Sequence, residues 1–110
     1  MKLRGMEEDI KDWRGSFGDK ILMEATLYGK KDIVRWLLHE LKLDVNEQNI
    51  FGYTALHIAA IHNRMECARV LLDAGSQNLK DSLGNTPLDW AKRRGHTEMQ
   101  RLIESHFQLS

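Results

Sequence analysis

The chain has 110 residues, the length of one ordinary domain, of which 42% are hydrophobic and 29% charged, as is usual for a folded, water-soluble protein. Lys plus Arg and Asp plus Glu both number 16, and the resulting zero net charge argues against a partner held mainly by charge, such as bulk nucleic acid or an anionic membrane. The single cysteine, Cys67, excludes an intrachain disulfide, and the apolar runs are too short for a secretory signal or a membrane span.

The first 17 residues show an amphipathic pattern. Five apolar side chains recur there at spacings of three and four residues: Leu3, Met6, Ile10, Trp13 and Phe17. This spacing predicts a short helix with one apolar face. Two interpretations are open, because the helix either covers an exposed apolar edge of the segment that follows or is offered to a groove in a partner. Deletion of residues 1–15 distinguishes them, since a large loss of melting temperature would favour the first.

The rest of the chain contains three related copies of one segment. The run GYTALHIA that begins at Gly52 returns as GNTPLDWA 32 residues later, at Gly84. A weaker copy begins 34 residues before Gly52, at Gly18. Repetition at such a period is the signature of a stacked-repeat fold. We therefore divide the chain into an N-terminal extension (1–17) and three repeats, at 18–49, 50–82 and 83–110.

Each copy is predicted to form two short amphipathic helices after a turn. Thr54 and Thr86 stand where the first helices begin and are suited to cap them. Pro87 follows at the first helical position, where its missing N–H costs nothing. Gly52 and Gly84 suit the tight turns between the copies.

The two ends of the array differ from its middle. Val34 and Ala68 of the first two copies correspond to Gln100 of the third, and Leu38 and Leu72 correspond to Glu104. A terminal repeat needs a polar outer face, so we expect the array to end with the third copy. The first copy is also expected to act as a cap.

These copies resemble the ankyrin repeat, whose pattern includes Thr-Pro-Leu-His at the start of the first helix and ends with Asp-Val-Asn. The matching runs are TALHIAA at 54–60, DSLGNTPL at 81–88 and DVN at 44–46. The first copy lacks Thr-Pro-Leu-His, and the second has Ala55 in place of the proline. The resemblance implies an all-α ankyrin-repeat solenoid of helix-turn-helix units joined by β-turn or hairpin loops, over about residues 18–107.

The sequence contains few groups that could support chemistry. No two of the five histidines, and no histidine with Cys67, stand at metal-ligand spacing, and Gly29-Lys30-Lys31 lacks the rest of a phosphate loop. The resemblance implies that His57 and His96 are structural, and Cys67 on an apolar helix face is expected to be buried and inert. Trp36 and Trp90 are expected to pack between helices. We predict no enzyme activity, no cofactor and no metal.

The resemblance implies that a partner binds the concave face, which is built from the turn tips and the exposed side of the first helices. Carried over residue by residue, this face contains Phe17, Leu27, Tyr28, Ile50, Phe51, Tyr53, Ile61, His62, Leu83, Asn85, Arg93 and Arg94. We expect the apolar members to form one contiguous exposed stripe, because such patches mark interaction sites. The alternative is that several of them fold inward or are covered by residues 1–17.

We therefore predict a monomeric, non-catalytic protein–protein interaction module of the cytoplasm, the nucleus or both, which serves as an adaptor, an inhibitor or a targeting domain. An alternative function is contact with an anion or a nucleic acid through Lys92, Arg93, Arg94 and Arg101, which would depend steeply on salt. A further hypothesis concerns Asn46, because Leu38 stands eight residues before it and the pair resembles substrates of an asparaginyl hydroxylase of animal cells.

Overall fold

The computed structural model of the chain describes residues 18–108, with side chains from residue 21 onwards. Within this part there are six helices and no strand, which confirms the all-α class. The helices are α1 Gly18–Leu27, α2 Lys31–His39, α3 Ala55–His62, α4 Met65–Asp73, α5 Pro87–Arg94 and α6 Thr97–Phe107. One helix pair lies in each predicted repeat, while the exact repeat boundaries stay a prediction. The amphipathic segment, including Phe17, lies outside the described residues.

The helices pack in two layers. The first helices of the pairs, α1, α3 and α5, lie side by side, and so do the second helices, α2, α4 and α6. Each first helix also packs against the second helix of its own pair. Every repeat therefore buries its apolar sides against its neighbours, which is how stacked repeats obtain a continuous core.

Small side chains bring the helices close together. Ala59, Ala60, Ala68 and Ala91 are all fully buried, on α3, α4 and α5. Larger side chains fill the space between the layers: Leu56, Leu71, Met99 and Ile103. The predicted apolar faces of these helices are thus confirmed as core.

The predicted helix starts are also confirmed. Thr54 Oγ1 accepts the backbone N–H of His57, and Thr86 Oγ1 accepts that of Asp89, at 3.3 and 3.1 Å. In return, the side chains of His57 and Asp89 accept the backbone N–H of Thr54 and Thr86. Each cap therefore satisfies two donors that the first helical turn leaves free. Pro87 occupies the first position of α5.

Where the first helices end, side chains of one repeat bond to the repeat before it. Arg64 Nε donates to the carbonyl oxygen of Leu27 at 2.8 Å. His96, at the equivalent position of the third repeat, has Nδ1 2.9 Å from the carbonyl oxygen of Ala60. This confirms the structural role expected of His96, and it shows that arginine serves the same purpose in the second repeat.

Trp36 is a correction to the sequence analysis. It was expected to pack between helices, but it lies exposed on α2. The equivalent residue of the second repeat, Val70, is buried. The difference arises because α2 has no preceding repeat packed against it within the described residues.

Candidate functional site

The side chain of Asn49 stabilises the turn before α3. Its Oδ1 accepts the backbone N–H groups of Phe51 and Tyr53, at 2.9 and 3.0 Å. The backbone closes the same turn, since Gly52 N–H donates to the Asn49 carbonyl. With their backbone fixed in this way, Ile50 and Phe51 project from the turn tip and are 89% and 59% exposed.

The turn before α5 is built in the same way around Asp81. Its Oδ1 accepts the backbone N–H groups of Leu83 and Asn85, at 3.0 and 2.9 Å. Gly84 N–H donates to the Asp81 carbonyl, as Gly52 does in the preceding turn. Leu83 therefore occupies the tip and is 81% exposed. Short polar side chains that bond to the backbone two residues on are a common way to stabilise such turns.

The two turns are bonded to each other. Ser82 N–H donates to the carbonyl oxygen of Phe51 at 3.0 Å. Gln48 Nε2 donates to the carbonyl oxygens of Gly52 and Lys80, at 2.9 and 3.0 Å. The apolar tips are consequently held in a fixed relation to each other.

A row of aromatic side chains leads from the tips onto α5. The ring centroids of Phe51 and Tyr53 lie 6.3 Å apart, as do those of Tyr53 and Trp90. The guanidinium carbon of Arg93, one helical turn beyond Trp90, lies 5.6 Å from the centroid of the Trp90 ring. This distance is within the range of a cation–π contact. We call these four residues, together with Ile50 and Leu83, the turn-end surface.

Asp81 connects the turn to this row. Its second oxygen, Oδ2, accepts the indole N–H of Trp90 at 2.8 Å, which fixes the orientation of the ring. Burial by itself raises the pKa of Asp81, but the bonds from Trp90 and from the backbone N–H groups of Asn85 and Leu83 outweigh it. The pKa of Asp81 therefore lies below its usual value, and the carboxylate stays ionised at neutral pH.

His57 lies buried beneath the row and joins the second repeat to the third. Because its Nδ1 accepts the backbone N–H of Thr54, Nε2 must carry the proton, which it donates to the Asn85 carbonyl oxygen at 2.9 Å. Burial lowers the pKa of His57, against the opposing effects of the Asn85 carbonyl and the Asp81 charge. The structural role expected of His57 is thus confirmed.

The residues of the predicted concave stripe lie at both ends of the first helices, and their contiguity stays a prediction. Cross-repeat hydrogen bonds join the first helices at both ends, so these helices run side by side in the same direction. Ile50, Phe51 and Leu83 precede these helices, whereas Tyr28 follows α1 and His62 is the last residue of α3, at the far end. The two ends of an eight-residue helix such as α3 lie about 12 Å apart.

Individual positions at the far end also differ from the prediction. Ile61 was expected to be exposed, but it is 9% exposed and belongs to the core. Leu27 is half-buried, and Tyr28, His62 and Arg94 are exposed. Partial burial, followed by the charges of Arg94 and Arg64, lowers the pKa of His62. The far end is therefore more polar than the turn-end surface.

Trp90 is the residue that the sequence analysis missed. It is half-buried and packs against the core, as expected, but it is also central to the turn-end surface, and the sequence analysis did not include it among the site residues. The available signal was its position three residues before Arg93 on a predicted helix, since residues at that spacing are neighbours on a helix surface.

Asn46 lies at the boundary between the first and second repeats. Its side-chain Oδ1 accepts the backbone N–H of Gln77 at 2.8 Å, and its Nδ2 lies 3.4 Å from the Gly75 carbonyl oxygen. Both the oxygen and the nitrogen of the side-chain amide thus help to join the two repeats. Hydroxylation of Asn46 stays a prediction, to be tested by mass spectrometry for one added oxygen atom on this peptide.

The described residues contain no cluster of three or more His, Cys, Asp or Glu side chains that could hold a metal ion. Cys67 is buried, and its burial raises the pKa of the thiol above the usual value. A thiol with a raised pKa is a poor nucleophile at neutral pH. None of the helices in residues 18–108 has the length and apolar character needed to span a bilayer.

Comparison with known proteins identifies the fold. A family model described as "Ankyrin repeats (3 copies)" matches residues 22–109. The chain is 42% identical over 84 residues to human SH3 and multiple ankyrin repeat domains protein 2, with 76% of the chain and 4% of that protein covered. It is 38% identical over 82 residues to pig NF-kappa-B inhibitor alpha, with 71% of the chain and 26% of that protein covered.

A third relative is an enzyme. The chain is 33% identical over 97 residues to the zebrafish (Danio rerio) palmitoyltransferase ZDHHC17, with 86% of the chain and 16% of that protein covered. The match lies in the ankyrin region of the transferase and not in its catalytic domain. The chain thus spans a small fraction of the length of these relatives. The chain therefore belongs to the ankyrin-repeat family, because the family model matches residues 22–109 and the structure has three stacked helix pairs.

Proposed function

We propose that the chain binds a partner protein through the turn-end surface. Ankyrin repeats are generally protein–protein interaction modules, and the observation that supports this location is the set of exposed apolar tips on two turns bonded to each other. Ile50, Phe51 and Leu83 are large apolar side chains in contact with water. Their turns are already ordered by Asn49 and Asp81, so a partner would bury apolar surface with little loss of backbone entropy.

The chemistry of the surface supports the same proposal. Trp90 and Arg93 belong to the residue types enriched among binding hot spots, and Tyr53 adds a third. The hydrogen bond from Trp90 to Asp81 holds the ring in place before any partner arrives. Within the described residues Arg93 has no acidic ion-pair partner, so its charge is available to a carboxylate on the partner.

The role that we infer is that of an adaptor, an inhibitor or a targeting domain without chemistry of its own. One of the relatives is called an inhibitor, which supports a non-catalytic role of this kind. The chain corresponds to a small part of each relative, as expected of a module that brings one protein to another. We propose that it acts as a monomer in the cytoplasm, the nucleus or both.

The alternative function, contact with an anion or a nucleic acid, has no specific observation in its favour. Lys92, Arg93 and Arg94 lie in the last turn of α5, where basic side chains stabilise the negative end of a helix. Arg101 lies on a different helix, α6. The basic cluster therefore has a structural explanation.

The test is a photo-crosslinking capture from native lysate. A photoreactive amino acid replaces Leu83 in one protein and Arg69 in another, because Arg69 is exposed on α4, a second helix, and not on a turn. We expect a protein to be crosslinked through position 83 and not through position 69. Equal crosslinking at both positions, or at neither, would contradict the proposed location.

Alanine variants provide the matched control. Phe51→Ala/Leu83→Ala removes two exposed tips and should leave the unfolding transition unchanged while it abolishes capture. Tyr28→Ala removes an exposed aromatic ring at the far end and should retain capture. Tyr53 is unsuitable for this test because its ring packs between Phe51, His57 and Trp90, so its removal would also affect the fold.

A further inference from the structure

The two ends of the repeat stack are finished differently. At the C-terminal end, α6 presents Gln100 and Glu104, whose side chains are hydrogen-bonded to each other at 3.2 Å. The equivalent residues of the second repeat, Ala68 and Leu72, are buried against the next repeat. This end of the stack is therefore polar where another repeat would otherwise pack, as a capping repeat requires.

The N-terminal end is apolar at the corresponding place. Ile33 and Trp36, one turn apart on α2, are each 48% exposed. The residues equivalent to Ile33 in the second and third repeats, Cys67 and Met99, are 1% and 0% exposed. Val70, equivalent to Trp36, is buried too. These residues are buried because α4 packs on α2 and α6 packs on α4.

The side of α2 that carries Ile33 and Trp36 therefore has the composition of an internal face and not the polar outer face expected of a capping first copy. No described residue packs over it as a preceding repeat would. We call it the N-terminal edge. Ile21 on α1 extends the edge to the first layer, since it is half-buried while its equivalents Ala55 and Pro87 are buried. An apolar face of this kind in contact with water usually marks a surface that something covers.

We propose that the apolar side chains of residues 3–17 cover the N-terminal edge, in the place that the second helix of a preceding repeat would take. This segment continues directly into α1, so its effective concentration at the edge is high. Its apolar side chains are spaced for one face of a helix, and the residues between them are mostly charged. Such a segment would bury its apolar side chains against the edge and present a polar outer side to water. At the other end of the stack, Gln100 and Glu104 provide such a polar side.

The dimensions agree with this placement. As a helix, residues 3–13 would extend about 16 Å, against about 14 Å for the nine residues of α2. Residues 14–17, which reach about 14 Å when fully extended, would connect this helix to the start of α1. The proposal assigns this apolar face to the chain itself and so leaves the turn-end surface free for a partner.

The experiment measures the covalent labelling of Trp36 in the 110-residue chain, with Trp90 as the internal reference. Ile10→Asp places a charge in the apolar stripe, and Lys11→Asp places the same side chain at the next residue, outside the stripe. We expect Ile10→Asp to increase the labelling rate of Trp36 severalfold and to leave that of Trp90 unchanged, whereas Lys11→Asp changes neither. Equal Trp36 labelling in the wild type and both variants would overturn the proposal.

A second measurement does not depend on a destabilising variant. Ile10→Cys/Ile33→Cys should form a disulfide within one chain on mild oxidation, and Lys11→Cys/Ile33→Cys should form markedly less. The native Cys67 is buried and serves in both proteins as the unreactive background. A second copy of the chain would instead give disulfides between chains only, and Trp36 labelling would fall as the protein concentration rises. That result would overturn the proposal. The absence of a disulfide in both proteins would overturn it as well.

Discussion

Gly52 lies at the point where the two turns touch. Its φ is +80°, in the left-handed region that favours glycine. A Cβ on this residue would come within 2.6 Å of the Ser82 backbone nitrogen and 2.9 Å of the Asp81 Cα. Both neighbours are backbone atoms of the turn before α5, so they cannot move aside without disturbing the turn that carries Leu83.

We expect Gly52→Ala to lower the free energy of unfolding by roughly 3 kcal/mol, because it combines backbone strain with a steric clash. Gly84→Ala is the matched control. Gly84 has a similar φ, +85°, but no atom of the described residues outside its immediate neighbours lies within 4 Å of the position of its Cβ, so the strain alone should cost about 1 kcal/mol. Urea unfolding of the two variants measures the difference. Equal losses would show that the contact between the turns is not as tight as the distances indicate.

At the scale of single elements, α5 is defined by its N-terminus. Thr86 and Asp89 form a reciprocal cap around Pro87, and Trp90 follows on the same turn. The cap therefore sets the position of the aromatic row as well as the start of the helix. By contrast, α2, α4 and α6 begin without a side-chain cap and depend on packing for their start.

Thr86→Ala removes the acceptor for the Asp89 backbone N–H, and we expect it to cost about 1 kcal/mol of stability. Thr97→Ala provides the comparison, since Thr97 is an exposed threonine at the first position of α6 and not a cap. It should change stability by less than about 0.5 kcal/mol. Thermal unfolding followed by circular dichroism tests both variants, and similar losses for the two would contradict the role of the cap.

At the scale of the whole molecule, the repeats are joined by hydrogen bonds at both ends of the first helices. His57 lies at the centre of the joint between the second and third repeats and bonds to Thr54 and Asn85 with its two nitrogens. A neutral ring is required there, because a proton on Nδ1 would face the Thr54 N–H. The stability of the stack is therefore linked to pH through this side chain.

The pKa of His57 lies below its ordinary value of about 6.5, so the unfolded chain binds the proton more readily than the folded chain. The contribution of this group to stability is complete above pH 6.5 and is lost as the pH falls from there through the folded-state pKa. We expect stability to decline between pH 7 and pH 5, and His57→Gln to reduce that decline. Urea unfolding across this range, with His39→Gln as an exposed control, provides the measurement.

Two other groups with lowered pKa values, His62 and Asp81, also contribute to the pH dependence of stability. The lowered pKa of His62 acts in the same direction, so His62→Gln should remove part of the decline as well. Asp81 also titrates below its usual value, but its contribution is present above about pH 4 and is lost only in more acidic solution. An unchanged pH dependence in His57→Gln would show that the joint tolerates a charged ring.

Local sequence patterns were enough to predict the repeated helix pairs, the capped starts of α3 and α5 and the turns at Gly52 and Gly84, and the family resemblance added the structural histidines. These features depend on residues close together in the chain, and the repetition shows each of them more than once. Tertiary packing decided which apolar residues are available to a partner. Phe51 and Ile61 were both expected on one exposed face, yet the packing of the first helices buries Ile61, while the bonds from Asn49 hold Phe51 at a turn tip. Trp36 differs from its expected place because exposure depends on whether a neighbouring repeat covers a position, and no local pattern contains that information.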